Sequence, residues 1–157
     1  MTVIVLDANA IIAHGRAFPD RARGAFGQGE QLVLPQSVKY ELADDVLAND
    51  DAPPNHCESA RTIQTLVDEG YLLIREPDYA AYSDVIDEAR RRIASESLPE
   101  HAVKADQYIP AIVCELSQQG SVTLVTADRK LSETVQEITA KRGVVERVSI
   151  QMPRTVL

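Results

Sequence analysis

The sequence predicts an α/β fold built on a mostly parallel central sheet. Short β-type runs recur along the chain, helical patterns lie between them, and two of the runs are almost unbroken apolar. Alternating strands and helices favour parallel pairing through crossover connections. A strand that is apolar throughout is one covered on both faces.

The elements follow in order. "VIVL" (Val3–Leu6) is the first run and one of the two near-continuous ones. "LVL" at 32–34 is the second. In "PQSVKYELADDVL", Val38, Leu42 and Val46 recur at four-residue steps, which predicts a helix with these as its core stripe. "ANDDAPPNH" at 48–56 is the clearest loop. Asn55 is placed to cap a helix carrying Ala60, Ile63, Leu66 and Val67, and Gly70 stops it. "YLLI" at 71–74 is the third run. Positions 79–97 form a long helical pattern through Val85, Ile86, Ala89 and Ile93. Pro110 is tolerated only in the first turn of a helix, so a helix is expected to start near Asp106. "VTLV" (Val122–Val125) is the fourth run, followed by a helix from Arg129. "VVERV" at 144–148 is the fifth.

The 157 residues suit one domain, 1–157, with one core and no repeat or linker. The apolar fraction of 45% is ordinary for a globular protein, and no run approaches the ~20 residues of a membrane span. The N-terminus lacks a basic segment leading into an apolar one. A cytoplasmic protein with no membrane partner is expected. Cys57 and Cys114 are the two cysteines, too few for a disulfide framework or a four-ligand zinc site. Cys114, in "AIVCEL", reads as a buried structural thiol, and the His56–Cys57 pair is a weak metal signal.

Net charge is −8, from 24 acids against 16 bases, and only four of the bases are Lys. This excludes general binding to nucleic acid through a basic footprint, while leaving room for a local basic groove around an acidic pocket. An acid-rich, Lys-poor surface also fits a high-salt cytoplasm. Arg90, Arg91 and Arg92 read as a solvated helix face paired with acids such as Asp87 and Glu88, not as catalytic groups.

Four acids stand where a ligand could meet them. Asp7 and Asp128 directly follow the two near-continuous runs, and in open α/β sheets ligands bind beyond the carboxyl ends of the strands. Asp128 could also cap the helix at Arg129, as Asn9 could cap the first helix. Two acids at neighbouring strand tips repel each other unless a cation lies between them. Glu41 borders the apolar stripe of its helix, in a row with Ser37 and Asp45, and an ordinary boundary glutamate would look the same. Asp106 stands at an expected helix start, where capping alone would account for it. As a set, hard oxygen ligands select Mg²⁺ or Mn²⁺ over zinc.

With these residues in hand, the sequence resembles the PIN-domain ribonuclease family. The resemblance rests on Asp7 and Asn9 in "LDANAII", Ser37 and Glu41 in "SVKYEL", Asp106 in "ADQYIPAIVCEL", and Thr126 and Asp128 in "VTADRKL". It spans residues 3 to about 148. It implies a three-layer α/β/α sandwich with a five-stranded sheet in the order 3-2-1-4-5, and a metal-dependent endonuclease acting on RNA. Carried over by position, Asp7, Glu41, Asp106 and Asp128 are the catalytic, metal-binding acids for Mg²⁺ or Mn²⁺. Asn9, Ser37 and Thr126 are the polar neighbours that orient them. Many small members, the VapC-like group, are toxins of toxin–antitoxin pairs, which implies an antitoxin protein as partner. Homodimerisation is compatible with the family, although no residue here derives it. The departure from the pattern is Pro110, just after Asp106, where many members carry an ordinary helical residue.

Two rival readings compete. A haloacid-dehalogenase-type phosphatase also puts an Asp after its first strand, but it needs a second acid two residues on, where this chain has Asn9. A non-catalytic PIN-like module binding RNA or protein would have lost the acids that are all present here.

Overall fold

A computed structural model describes residues 2–94 and 105–154. Five strands form one parallel sheet: β1 (Val3–Leu6), β2 (Gln31–Pro35), β3 (Leu73–Arg75), β4 (Val122–Val125) and β5 (Val148–Gln151). Their order is β3-β2-β1-β4-β5, with β1 in the centre. Val5 pairs with Val33 on one side and Leu124 on the other. Ile4, Val5, Leu6, Leu124 and Val125 are essentially sealed from solvent. That burial is why the first and fourth runs carry almost no polar residue.

Helices cover both faces. α1 (Ala8–His14) follows β1, and α2 (Phe18–Gly27) packs on β2 and on α5 (Pro54–Asp68). α6 (Ser83–Ile93), α7 (Ile109–Ser117) and α8 (Arg129–Lys141) pack on one another, and α7 also packs on β4. Between β2 and α5 runs a composite helix: α3 (Gln36–Lys39), a π-helical turn (Tyr40–Asp44) and α4 (Asp45–Ala48). Among the described residues no helix is long and apolar enough to cross a membrane.

Several local expectations are corrected. The π turn spaces the stripe by five residues instead of four. Val38 and Ala43 are therefore the sealed positions, and the expected Leu42 and Val46 are only partly buried. Helix α5 starts at Pro54, not behind an Asn55 cap, because proline's fixed φ suits the first helical position. Gly70, at φ +84, ends that segment as expected. The apolar run at 144–148 is mostly not strand. Gly143, at φ +73, terminates α8, and the Val144 N–H returns to the Thr139 carbonyl, so Val144 closes a helix end and β5 begins only at Val148. The helical pattern at 79–97 begins at Ser83, and its last positions lie outside the described residues.

Arg92 bonds to Glu88 at 2.6 Å and also pairs with Glu137, while Lys141 reaches Glu88 at 2.9 Å. Arg90 lies 3.9 Å from Asp87. The Arg92–Glu137 and Lys141–Glu88 pairs tie α6 to α8 across their exposed faces. With a net charge of −8, self-repulsion is nonetheless expected to dominate the surface. Raising KCl from about 0.1 M to about 1 M shortens the Debye length from ~10 Å to ~3 Å. Thermal melting should then move up by several degrees. A falling midpoint would show instead that the attractive pairs outweigh the repulsion.

Candidate active site

The site forms at the carboxyl ends of the two central strands. The chain leaves β1 at Leu6, so Asp7 is the first residue past the sheet. It is 2% exposed. Its Oδ1 accepts the Ala10 N–H at 2.8 Å, which makes Asp7, not Asn9, the cap of α1. Asn9 has an exposed side chain and contributes its backbone N–H toward the Asp7 carboxylate. Asp128 follows β4 in the same way and caps α8 through the Leu131 N–H at 3.1 Å.

Thr126 joins the two tips. Its hydroxyl donates to Asp7 Oδ2 at 2.5 Å and accepts the Asp128 N–H at 3.0 Å. This single buried side chain fixes the second Asp7 oxygen and the backbone entering Asp128 together. Thr126→Val keeps the shape and removes both bonds. A loss of about 1–3 kcal/mol is expected in urea unfolding, because two buried polar groups lose their partner. Thr126→Ser should retain most of the stability. Equal stability for Val and Ser would show that the hydroxyl bridge is not formed.

Asp106 does not cap a helix. Residues 105 and 106 are themselves helical, a turn follows at 107–108, and α7 starts at Ile109 with Pro110 in its first turn. Pro110 therefore obeys its rule three residues later than expected, and among the described residues the Asp106 carboxylate has no capping duty. Ser37 anchors this segment, its hydroxyl donating to the Ala105 carbonyl at 2.8 Å. The resemblance casts Ser37 as orienting the acids; the bond it makes here is to the backbone next to Asp106. From the other side, Arg90 Nε donates to Oε1 of buried Gln107 at 2.8 Å. Gln107 was not singled out by the sequence, since nothing in its spacing sets it apart.

The electrostatics show which acids feel one another's charge. Burial raises the Asp106 carboxyl to about 7, and the charges of Asp7, Asp128 and Glu41 add to the effect. Burial also raises Asp7, against hydrogen bonds from Thr126 and Ala10 that pull it down, and the Asp128 charge raises it further. All four acids therefore share one field, with Asp106 at its centre. Glu41, on the π turn, is half-buried. Its charge acts on Asp106. Among the described residues no three His, Cys, Asp or Glu side chains already stand close enough to hold an ion. His56 and Cys57 add nothing to the site; the Cys57 thiol donates to the Ala52 carbonyl at 3.7 Å.

An oxygen-only donor set in which neighbouring carboxylates help to raise Asp7 and Asp106 suits a hard divalent cation, because such an ion relieves the repulsion that burial amplifies.

The comparisons agree with this architecture. The chain from VapBC-1 of nontypeable Haemophilus influenzae aligns with 14% identity and a TM-score of 0.54, over 97% of this chain and 98% of that one. A chain from VapBC2 of Rickettsia felis, solved bound to a DNA fragment from its promoter, aligns with 12% identity and a TM-score of 0.51, over 96% and 98%. At these identities the likeness is one of fold. No curated protein matches in sequence. The profile of the halobacterial PIN domain matches residues 1–157, and the chain thus belongs to the halobacterial PIN-domain family.

Proposed function

We propose that the protein is a divalent-metal-dependent endoribonuclease that hydrolyses RNA phosphodiester bonds. The observation that supports this most is the shared field of Asp7, Glu41, Asp106 and Asp128, drawn from four different parts of the chain onto one sheet edge. Capping explains Asp7 and Asp128 individually, but it does not explain why a buried Asp106 with no capping role stands among them.

Asp7, Glu41, Asp106 and Asp128 would hold Mg²⁺ or Mn²⁺. Bound there, the cation supplies neutralisation of the scissile phosphate and activation of an attacking water. The chain's own contribution is rigidity and charge. Asp7 is clamped by Ala10 and Thr126, so its carboxylate cannot swing away from the sheet tip. Asp128 spends one oxygen on its cap and keeps the other for the site. In the cation-free protein Asp106 holds a proton for part of the time near neutrality, which lowers the charge the cluster must carry.

The structural likeness to chains from VapBC complexes favours a further reading, as the toxin of a toxin–antitoxin pair. In that setting the partners would be an antitoxin protein and a second copy of this chain. The direct test is incubation of end-labelled single-stranded and structured RNA with Mg²⁺, with Mn²⁺ and with chelator. Internal cuts that need the metal are expected. Equal cutting in chelator, or no cutting with either ion, would overturn the reading.

A further inference from the structure

Beside the acids lies a cavity of about 500 Å³ that the proposed hydrolysis does not use. Its lining reaches from Glu41 on the π turn, past Arg75 at the end of β3, to Gln107 next to Asp106. The chain has only five Tyr, two Phe and no Trp, yet Tyr40, Tyr79 and Tyr108 all line this one space. Tyr79 and Tyr108 meet edge to face, with ring centroids 5.7 Å apart and planes at 88°. Tyr79 also donates from its hydroxyl to Glu76 at 3.2 Å. The ring is thus held by Tyr108 on one side and by Glu76 at its tip, and it still remains 49% exposed. Tyr40 is 57% exposed. A ring that is held yet half exposed, as Tyr79 is, has surface left for a ligand to stack on.

Resting on the nuclease reading, we infer that this cavity receives the unpaired base of a nucleotide flanking the cut, stacked on Tyr79. Three considerations select a base. The volume lies within the range of roughly 300–1,000 Å³ typical of small-ligand pockets. Asp45, which is not one of the proposed cation ligands, lines the space, so its charge disfavours a phosphate there while leaving a neutral base unaffected. Arg75 is the one cation among the described lining residues, and it makes no ion pair within them. Its guanidinium suits the phosphate that links the bound base to the cut. The consequence is a preference for single-stranded RNA, since a paired base cannot leave its stack to enter.

The test is a cycle between one ring and one base. Each nucleotide flanking a mapped cut is replaced in turn by an abasic residue, and kcat/KM is measured for wild type and Tyr79→Ala. At one of the two positions the abasic change should slow wild type on the order of tenfold, and Tyr79→Ala should slow the intact RNA similarly. The combination should be no worse than either alone, because both remove the same contact. Tyr79→Phe, which keeps the ring, should recover most of the loss. Anisotropy binding of the same RNAs to the Asp7→Asn protein, with and without Tyr79→Ala, should repeat the pattern in Kd. Penalties that multiply, or an equal effect of Tyr79→Ala on intact and abasic RNA, would overturn the inference and leave the nuclease reading standing. Failure of wild type to cut any RNA would instead strike the nuclease reading, and with it the inference that rests on it.

Discussion

Asp7→Asn is expected to abolish RNA cleavage while leaving the protein folded. The amide keeps an oxygen for the Ala10 N–H, so the start of α1 stays capped. It loses the anionic charge at the tip of the central strand. Changes one shell further from a metal commonly cost about 10–100-fold, so loss of a direct anionic ligand should cost at least about a hundredfold. The same change should weaken stabilisation by metal. An ion that binds only the native state raises stability by about 2.7 kcal/mol at a hundred times its Kd. Wild type should therefore melt higher with Mn²⁺ than with chelator, and Asp7→Asn should show a smaller gap. Cleavage and melting measured on both proteins, with metal and with chelator, separate the possibilities. Full activity in Asp7→Asn would remove the strand-tip acid from the chemistry. Loss of activity together with loss of the folded baseline would show that the carboxylate is needed for the fold, through the bond it accepts from Thr126, and would leave its role in the chemistry unsupported.

The central strands could be read directly because their signal is local. Val3–Leu6 and Val122–Val125 are as long in the structure as in the apolar runs that announced them. Features made by backbone geometry were less accessible. A π turn has no distinctive residue pattern, so the position of Ala43 in the core, and with it the setting of Glu41, could not be derived from four-residue steps. Helix closure at Gly143 and Val144 borrowed the β-type residues that suggested the fifth strand. The acids were visible one at a time, but their shared field depends on the sheet order. That order brings Thr126 against Asp7 across a sequence separation of 119 residues. The cavity tyrosines gave no signal at all, since Tyr40, Tyr79 and Tyr108 share no period and come from three separate segments.

Asp106 should make the metal-free protein less stable as the pH rises. Its carboxyl is raised from 3.8 to about 7 in the folded state, so between those values the native protein binds the proton more tightly than the unfolded chain does. Stability from this group is greatest below about pH 4, falls through the window, and levels off above about pH 7. The shift corresponds to at most about 4 kcal/mol between the two ends. Asp106→Asn removes the titration without removing a cap from α7, whose start has no side-chain cap. In chelator the variant should therefore match wild type near pH 4 and melt higher by several degrees at pH 8. Comparing the two proteins cancels groups that behave oppositely, such as Glu88, which Lys141 and Arg92 hold low. Saturating Mn²⁺ should narrow or reverse the difference at pH 8, since only wild type keeps the full set of acids for the cation to neutralise. Melting curves for both proteins across this range, with and without metal, decide the matter. If the two run parallel from pH 4 to pH 8 in chelator, Asp106 does not sit in the field of Asp7, Asp128 and Glu41, and the four acids do not form one site.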